Sequence, residues 1–111
     1  MYYPIHTVLD EHQGELIRLC QRCRVNRLYV FGSIAKGTFD RERSDIDFLA
    51  QLADRLPSRE YADRFFGLEE GLRNVFKRSI DLITLEGLKR AGFRQVVEET
   101  RRLVYASDDA L

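Results

Sequence analysis

Apolar residues return at three- and four-residue steps through Ile5, Val8, Leu9, Leu16, Leu19, Cys20 and Cys23. That period is one stripe of a helix, so the spacing predicts a first helix across this segment. Pro4 suits its start, where a missing N–H costs nothing. His12 also falls on the stripe, and a partly buried histidine is the reading the pattern favours over a catalytic one. The period then changes. Leu28-Tyr29-Val30-Phe31 is a run of β-forming residues stopped by Gly32, and it predicts a strand. Gly32 to Thr38 predicts a turn and a short helix. Phe39 to Ser44 is polar and charged and predicts a loop. Asp45 to Leu52 predicts a second strand, in which Ile46 and Phe48 face away from Asp45 and Asp47.

Asp54 to Ser58 contains Pro57 and predicts a connection. Ser58 suits the N-cap of a helix with Glu60 in its first turn. Tyr61, Phe65, Leu68, Leu72, Val75 and Phe76 form the stripe of that helix. Ser79 to Leu85 predicts a third strand, with Asp81 facing away from Ile80 and Leu82. Leu88 to Arg102, carrying Phe93, Val96 and Val97, predicts the last helix. Leu103 to Tyr105 predicts a short final strand, and Ser107 to Leu111 a frayed tail. The order α-β-α-β-α-β-α with a terminal β predicts an α/β (α+β) fold: a small mixed sheet with helices packed on it. Nothing in the pattern splits the chain, so residues 1–111 are expected to form one domain.

Composition narrows the classes of function. The chain has 111 residues, 44% apolar and 32% charged, the balance of an ordinary globular protein. Its formal net charge is +0, so general nucleic-acid binding, which normally needs a basic excess, is not expected. No apolar run approaches the roughly 20 residues of a membrane span. Asp10, Glu11 and Glu15 interrupt any signal-peptide pattern, which makes the cytoplasm the expected compartment. The only two cysteines, Cys20 and Cys23, have C-x-x-C spacing. A structural zinc site usually takes four ligands, and only His6 and His12 lie near. The helical pattern around the cysteines favours buried thiols.

The candidate chemistry lies in three aspartates. An aspartate inside an apolar strand is costly unless something satisfies it. Asp45 and Asp47 share a strand face, and Asp81 joins them if the third strand lies beside the second. Converging carboxylates repel one another, and a divalent cation resolves that repulsion. Mg²⁺ prefers oxygen ligands and keeps positions open for water and phosphate. Two such ions can clamp the attacking and leaving oxygens of a phosphoryl or nucleotidyl displacement. The plain alternative has Asp45 capping a turn, Asp47 paired with an arginine and Asp81 at the surface.

Gly32-Ser33 adds a second element. Glycine permits a tight turn and close backbone approach. The N–H groups of the helix that follows, with the Ser33 hydroxyl, suit phosphate oxygens. An ordinary strand-to-helix turn explains Gly-Ser equally well in isolation, and the P-loop pattern is absent. Lys36, Arg41 and Arg43 lie between this turn and the aspartates, where each is either a phosphate cation or a solvated loop charge.

Gly32-Ser33-x-Ala35-x-Gly37, then Ser44-Asp45-x-Asp47-Phe48, then Asp81-Leu82, resembles the minimal nucleotidyltransferase (MNT) family of the DNA polymerase beta-like nucleotidyltransferase superfamily. The resemblance runs from about Leu28 through Leu85, and Glu99-x-x-x-Leu103-Val104-Tyr105 looks like the family's tail. It implies a nucleotidyltransferase-like fold and an enzyme. By it, Gly32 and Ser33 would bind the phosphates of ATP, with Lys36 the better candidate cation because position 34 is Ile. Asp45 and Asp47 would hold Mg²⁺, two ions during catalysis, and Asp81 would complete the site and help deprotonate the attacking hydroxyl. AMP would pass from ATP to that hydroxyl. Many small relatives are antitoxins that adenylylate a tyrosine of a HEPN toxin, which makes such a toxin the expected partner. Eleven residues separate Ser33 from Asp45, one more than members often show. Two alternatives stand beside this: a non-catalytic antitoxin that covers its partner, and a nucleotidyltransferase acting on a small molecule or an RNA end.

Overall fold

The first apolar stripe folds as two helices, not one. In a computed structural model, which describes residues 1–54, 58–88 and 94–108, α1 spans Thr7–Asp10 and α2 spans Gln13–Arg22. His6 caps α1, its Nδ1 accepting from the Val8 N–H at 3.1 Å. The chain breaks at His12, whose backbone leaves helical geometry. Its ring meets the Phe76 ring edge-on at 5.4 Å, and its Nδ1 lies 3.1 Å from Glu15 Oε1. Gly14 weakens helix continuation just beyond the break. Leu9, Leu16, Leu19 and Cys20 are buried from both pieces. Arg24, at φ +55°, turns the chain out of α2.

Strand β1 then runs Val25–Phe31, starting earlier than the Leu28 expected from the apolar run. The short helix α3 covers Ser33–Lys36, and β2 covers Ile46–Leu52. Ser58 caps α4, Arg59–Phe76, by accepting the Tyr61 N–H at 3.0 Å. Lys77, in the left-handed region at φ +52°, closes that helix. β3 follows at Ile80–Thr84. Thr84 ends it one residue early because its Oγ1 accepts from the Gly87 N–H at 3.1 Å and starts α5, Leu85–Leu88. The helix expected over 88–102 is shorter: α6 covers Arg94–Thr100. β4, Arg102–Ala106, contains the expected final strand. Pro57, Phe93, the Val96 side chain and residues 109–111 of the expected tail lie outside the described residues. Ser107 is tied in, its N–H donating to Asn26 O at 2.9 Å.

The four strands form one mixed sheet in the order β3-β2-β1-β4. β1 is antiparallel to both β2 and β4, while β2 and β3 are parallel and joined through α4. A parallel pair requires such a crossover. Residues 1–3 run along the outer side of β4: Tyr3 N–H donates to Val104 O at 2.7 Å, and Ala106 N–H to Met1 O at 2.9 Å. That covers an edge which would otherwise expose unpaired backbone groups.

Alternation along the strands divides the core. On one face, Leu28, Val30, Ile46, Phe48 and Ala50 pack with α1, α2 and α4. Gly71 lets α4 approach α2 closely, since a Cβ there would lie 2.4 Å from Leu19 Cδ1. On the other face, Leu49, Leu88 and Val97 form a smaller cluster with Tyr29, Phe31 and Ile83. No helix among the described residues is long and apolar enough to cross a membrane.

Candidate active site

Asp47 and Asp81 are register partners on the parallel strands β2 and β3. Residues directly opposite on neighbouring strands project to the same side. Leu49 and Ile83, two residues further along the same face, enter the smaller cluster under α5 and α6. The aspartates therefore sit where this face leaves its apolar cover. Asp47 is half-buried and its carboxyl is pushed up to about 6. Burial is the largest cause, followed by a hydrogen bond to Asp81 and the negative charges of Asp81 and Asp45. All of these act in the same direction.

Gly32 ends β1 beside this pair. Its φ of +71° and ψ of −147° are accessible almost only to glycine. Its missing side chain matters as well: a Cβ at residue 32 would lie 2.2 Å from Asp47 Oδ2. The turn thus makes room for the carboxylate as well as for a helix start. Gly32 O accepts from the Ala35 and Lys36 N–H groups at 3.1 and 3.0 Å, which sets Ser33 as the first residue of α3. Gly37, at φ +82°, ends α3. Ile34 is buried in the main core. Lys36 is exposed and lies one helical turn from Ser33, on the same side of α3.

Asp45 stands outside the strand expected to begin with it. β2 starts at Ile46, and Asp45 is exposed at the end of the loop. It affects Asp47 through its charge. Asp40 organises the loop, its Oδ1 accepting from the Glu42 N–H at 2.8 Å and its N–H donating to Ser44 Oγ at 2.9 Å. Arg41 turns toward α1, donating to Thr7 Oγ1 at 2.6 Å and Glu11 Oε1 at 3.1 Å. Arg43 is exposed. Phe39 packs between the His6 ring and the Arg78 guanidinium. Arg78 was not among the sequence candidates. Its only sequence signal is a position three residues before Asp81, and its partners lie across the fold.

A nucleotidyltransferase domain profile matches residues 15–104, most of the chain. The chain belongs to the nucleotidyltransferase domain family. No curated protein sequence matches this nucleotidyltransferase-domain chain. Among solved structures, a toxin–antitoxin complex with AMP-PNP superposes with a TM-score of 0.61 at 24% identity, over 87% of this chain and 75% of that one. A mutant MntA–HpeT toxin–antitoxin structure gives 0.60 at 22% identity, over 87% and 75%. A tri-AMPylated Shewanella oneidensis HEPN toxin in complex with MNT antitoxin gives 0.57 at 19%, over 90% and 74%. At these identities the likeness is one of fold.

Within the nucleotidyltransferase domain, a cavity of about 370 Å³ opens at the aspartate pair. Asp47, Asp81, Phe31 and Ile83 line it, together with Glu69 and Arg73 from α4. Arg73 is held by Glu69 at 3.3 Å, an i,i+4 pair whose place beside the site was not evident from sequence. A larger cavity of about 420 Å³ lies apart, lined by Tyr2, Cys20, Arg24 and Tyr105, and contains none of the candidate residues. The Asp47 and Asp81 carboxylates open onto the smaller one. Among the described residues, no three His, Cys, Asp or Glu side chains are gathered closely enough to hold a metal together. The donors nevertheless suit a hard divalent ion: carboxylate oxygens on one face, mutually repelling, with the Asp47 carboxylate seated against Gly32. Cys20 and Cys23 are buried free thiols, as the helical pattern favoured.

Proposed function

We propose that this nucleotidyltransferase transfers AMP from ATP to a hydroxyl, a tyrosine of a partner HEPN toxin, and thereby acts as an antitoxin in the cytoplasm. The observation that carries the reading is the Asp47–Asp81 register pair opening beside the Gly32–Ser33 turn. Support also comes from the fold shared with a toxin–antitoxin complex holding AMP-PNP and with one whose toxin is AMPylated.

In this reading Gly32 and Ser33 hold the phosphates and Lys36 neutralises part of their charge. Asp47 and Asp81, with Asp45 drawn in from the end of the loop, would hold Mg²⁺, which would supply Lewis-acid stabilisation of the developing phosphate charge when bound. The acceptor oxygen forms a bond to the α-phosphorus as the bond to the bridging oxygen of pyrophosphate breaks. Asp81, exposed on the edge strand β3, takes the proton of the attacking hydroxyl. The rest of the catalysis is positioning and charge neutralisation.

The test is transfer of α-labelled AMP from ATP to a co-expressed HEPN partner with Mg²⁺ present. Label on a partner tyrosine is the expected result, and an unlabelled partner overturns the toxin-modifying reading. An Asp45→Asn/Asp47→Asn variant that still neutralises the partner fully would mean that covering alone suffices. Label transferred to RNA or a small molecule without a protein partner would reassign the acceptor.

A further inference from the structure

We infer that Arg78 is a positioning residue for Asp45, holding it in register with the strand that carries Asp81. This rests on the proposed role of Asp45 as an Mg²⁺ ligand. Asp45 is exposed, so its placement depends on the backbone around it. Two bonds fix that backbone. The carbonyl of Ser44, on the peptide before Asp45, accepts from Arg78 Nη1 at 3.1 Å. The N–H of Ile46, on the peptide after Asp45, donates to Ser79 O at 3.2 Å. Adjacent residues at the entry to β3 thus hold both sides of Asp45.

Arg78 does more than close one bond. Its Nη2 donates to the Arg41 carbonyl, so one guanidinium spans two carbonyls of the same loop. Its guanidinium carbon lies 5.0 Å from the centroid of the Phe39 ring, which anchors the start of the loop. Its Nε is buried without a hydrogen-bond partner among the described residues. That is a cost the site bears to keep the group in place. The side-chain ties from this loop to α1, Arg41 to Thr7 and Glu11, are exposed and individually weak. A lysine gathers its three donors on one nitrogen and has no planar fork, so it does not reproduce the two-pronged geometry that spans both carbonyls while stacking on the ring.

Groups that orient a metal ligand without touching the ion typically contribute about 10- to 100-fold to affinity. The probe is Mn²⁺, with binding read by electron paramagnetic resonance and folding by thermal melting. The expected result is that folded Arg78→Gln binds Mn²⁺ about tenfold more weakly than wild type. Arg78→Lys should fall between the two, and it decides the matter if Arg78→Gln does not fold. Asp45→Asn should cost less Mn²⁺ affinity in the Arg78→Gln background than in wild type, because both changes act on one ligand. Unchanged Mn²⁺ affinity in the folded variants, or strictly additive losses, overturns the role of Arg78. A wild-type chain that binds no Mn²⁺ overturns the metal-site reading itself.

Discussion

Gly32 and Asp47 compete for one space: a Cβ on residue 32 would stand 2.2 Å from Asp47 Oδ2. The absence of a side chain at the end of β1 is thus a condition for the carboxylate at the start of β2. Gly32→Ala would also place alanine at φ +71°, a conformation it rarely adopts. The variant is expected to lose AMP transfer by about a hundredfold, the scale of an ångström-sized displacement of a reacting group. Single-turnover transfer assays on the folded variant check this, and a wild-type rate would show that the contact is incidental.

The burial of Asp47, together with its closeness to Asp81, also predicts a pH dependence. Between pH 3.8, the ordinary value, and about 6 in the folded protein, the folded chain retains a proton that the unfolded chain has lost. Stability from this group is therefore full below the lower value and declines as pH rises through about 6. Asp47→Asn removes the charge and so removes the decline. Above pH 6, without divalent cations, it should be more stable than wild type by about 1 kcal/mol, a figure discounted for the half-exposed side chain. Urea melts at pH 4.5 and pH 7.5 measure the difference. A variant less stable than wild type at both values contradicts the assignment of strain to this pair.

The same residues explain how much was legible in the sequence. Alternation is local, so the facing of Asp47 and Asp81 could be inferred once each strand was recognised. Only the parallel placement of β3 beside β2 had to be added. The break at His12 was hidden because the apolar stripe runs through it unbroken, and the Phe76 ring that meets His12 lies far along the chain. Arg41 was a reasonable phosphate cation by position, yet its hydrogen bonds run to Thr7 and Glu11 on α1. Arg78 lay outside the candidate motif because its value comes from the carbonyls of Arg41 and Ser44. The pairing of residues 1–3 with β4 joins the two ends of the chain, and no local period encodes it. What the sequence concealed is long-range and directional. What it revealed is periodic.

Gly71 sets the distance between α2 and α4. A Cβ there would lie 2.4 and 2.9 Å from the two methyl carbons of Leu19, which is itself buried. Gly71→Ala gains helix propensity, about 1 kcal/mol in its favour. The clash should outweigh that gain, because crowding a packed core costs about 1–3 kcal/mol. The expected outcome is a lower melting temperature, recovered in part by Leu19→Val, which shortens the opposing side chain. A Gly71→Ala protein more stable than wild type would show that the helices separate without cost.

Cys20 and Cys23 supply the last test, because their spacing invites a redox or metal reading that their surroundings oppose. Both are buried and unbridged, and a Cβ added at Gly67 of α4 would meet Cys23 Sγ at an ordinary contact distance of 3.7 Å. Burial pushes the Cys20 thiol far above its ordinary range, and the neighbouring Cys23 adds to the shift. Burial also raises Cys23, against the lowering influence of Arg22 and Arg64. The thiolate is the reactive form and the form that binds metal, so both cysteines should be inert in the folded protein. A thiol reagent at pH 8 should label the native chain at least about a hundredfold more slowly than the urea-unfolded chain, since access requires opening. A zinc chelator should leave the melting temperature unchanged. Rapid labelling of either native thiol, or a melting temperature that falls with the chelator, would restore the C-x-x-C pair to the list of functional groups.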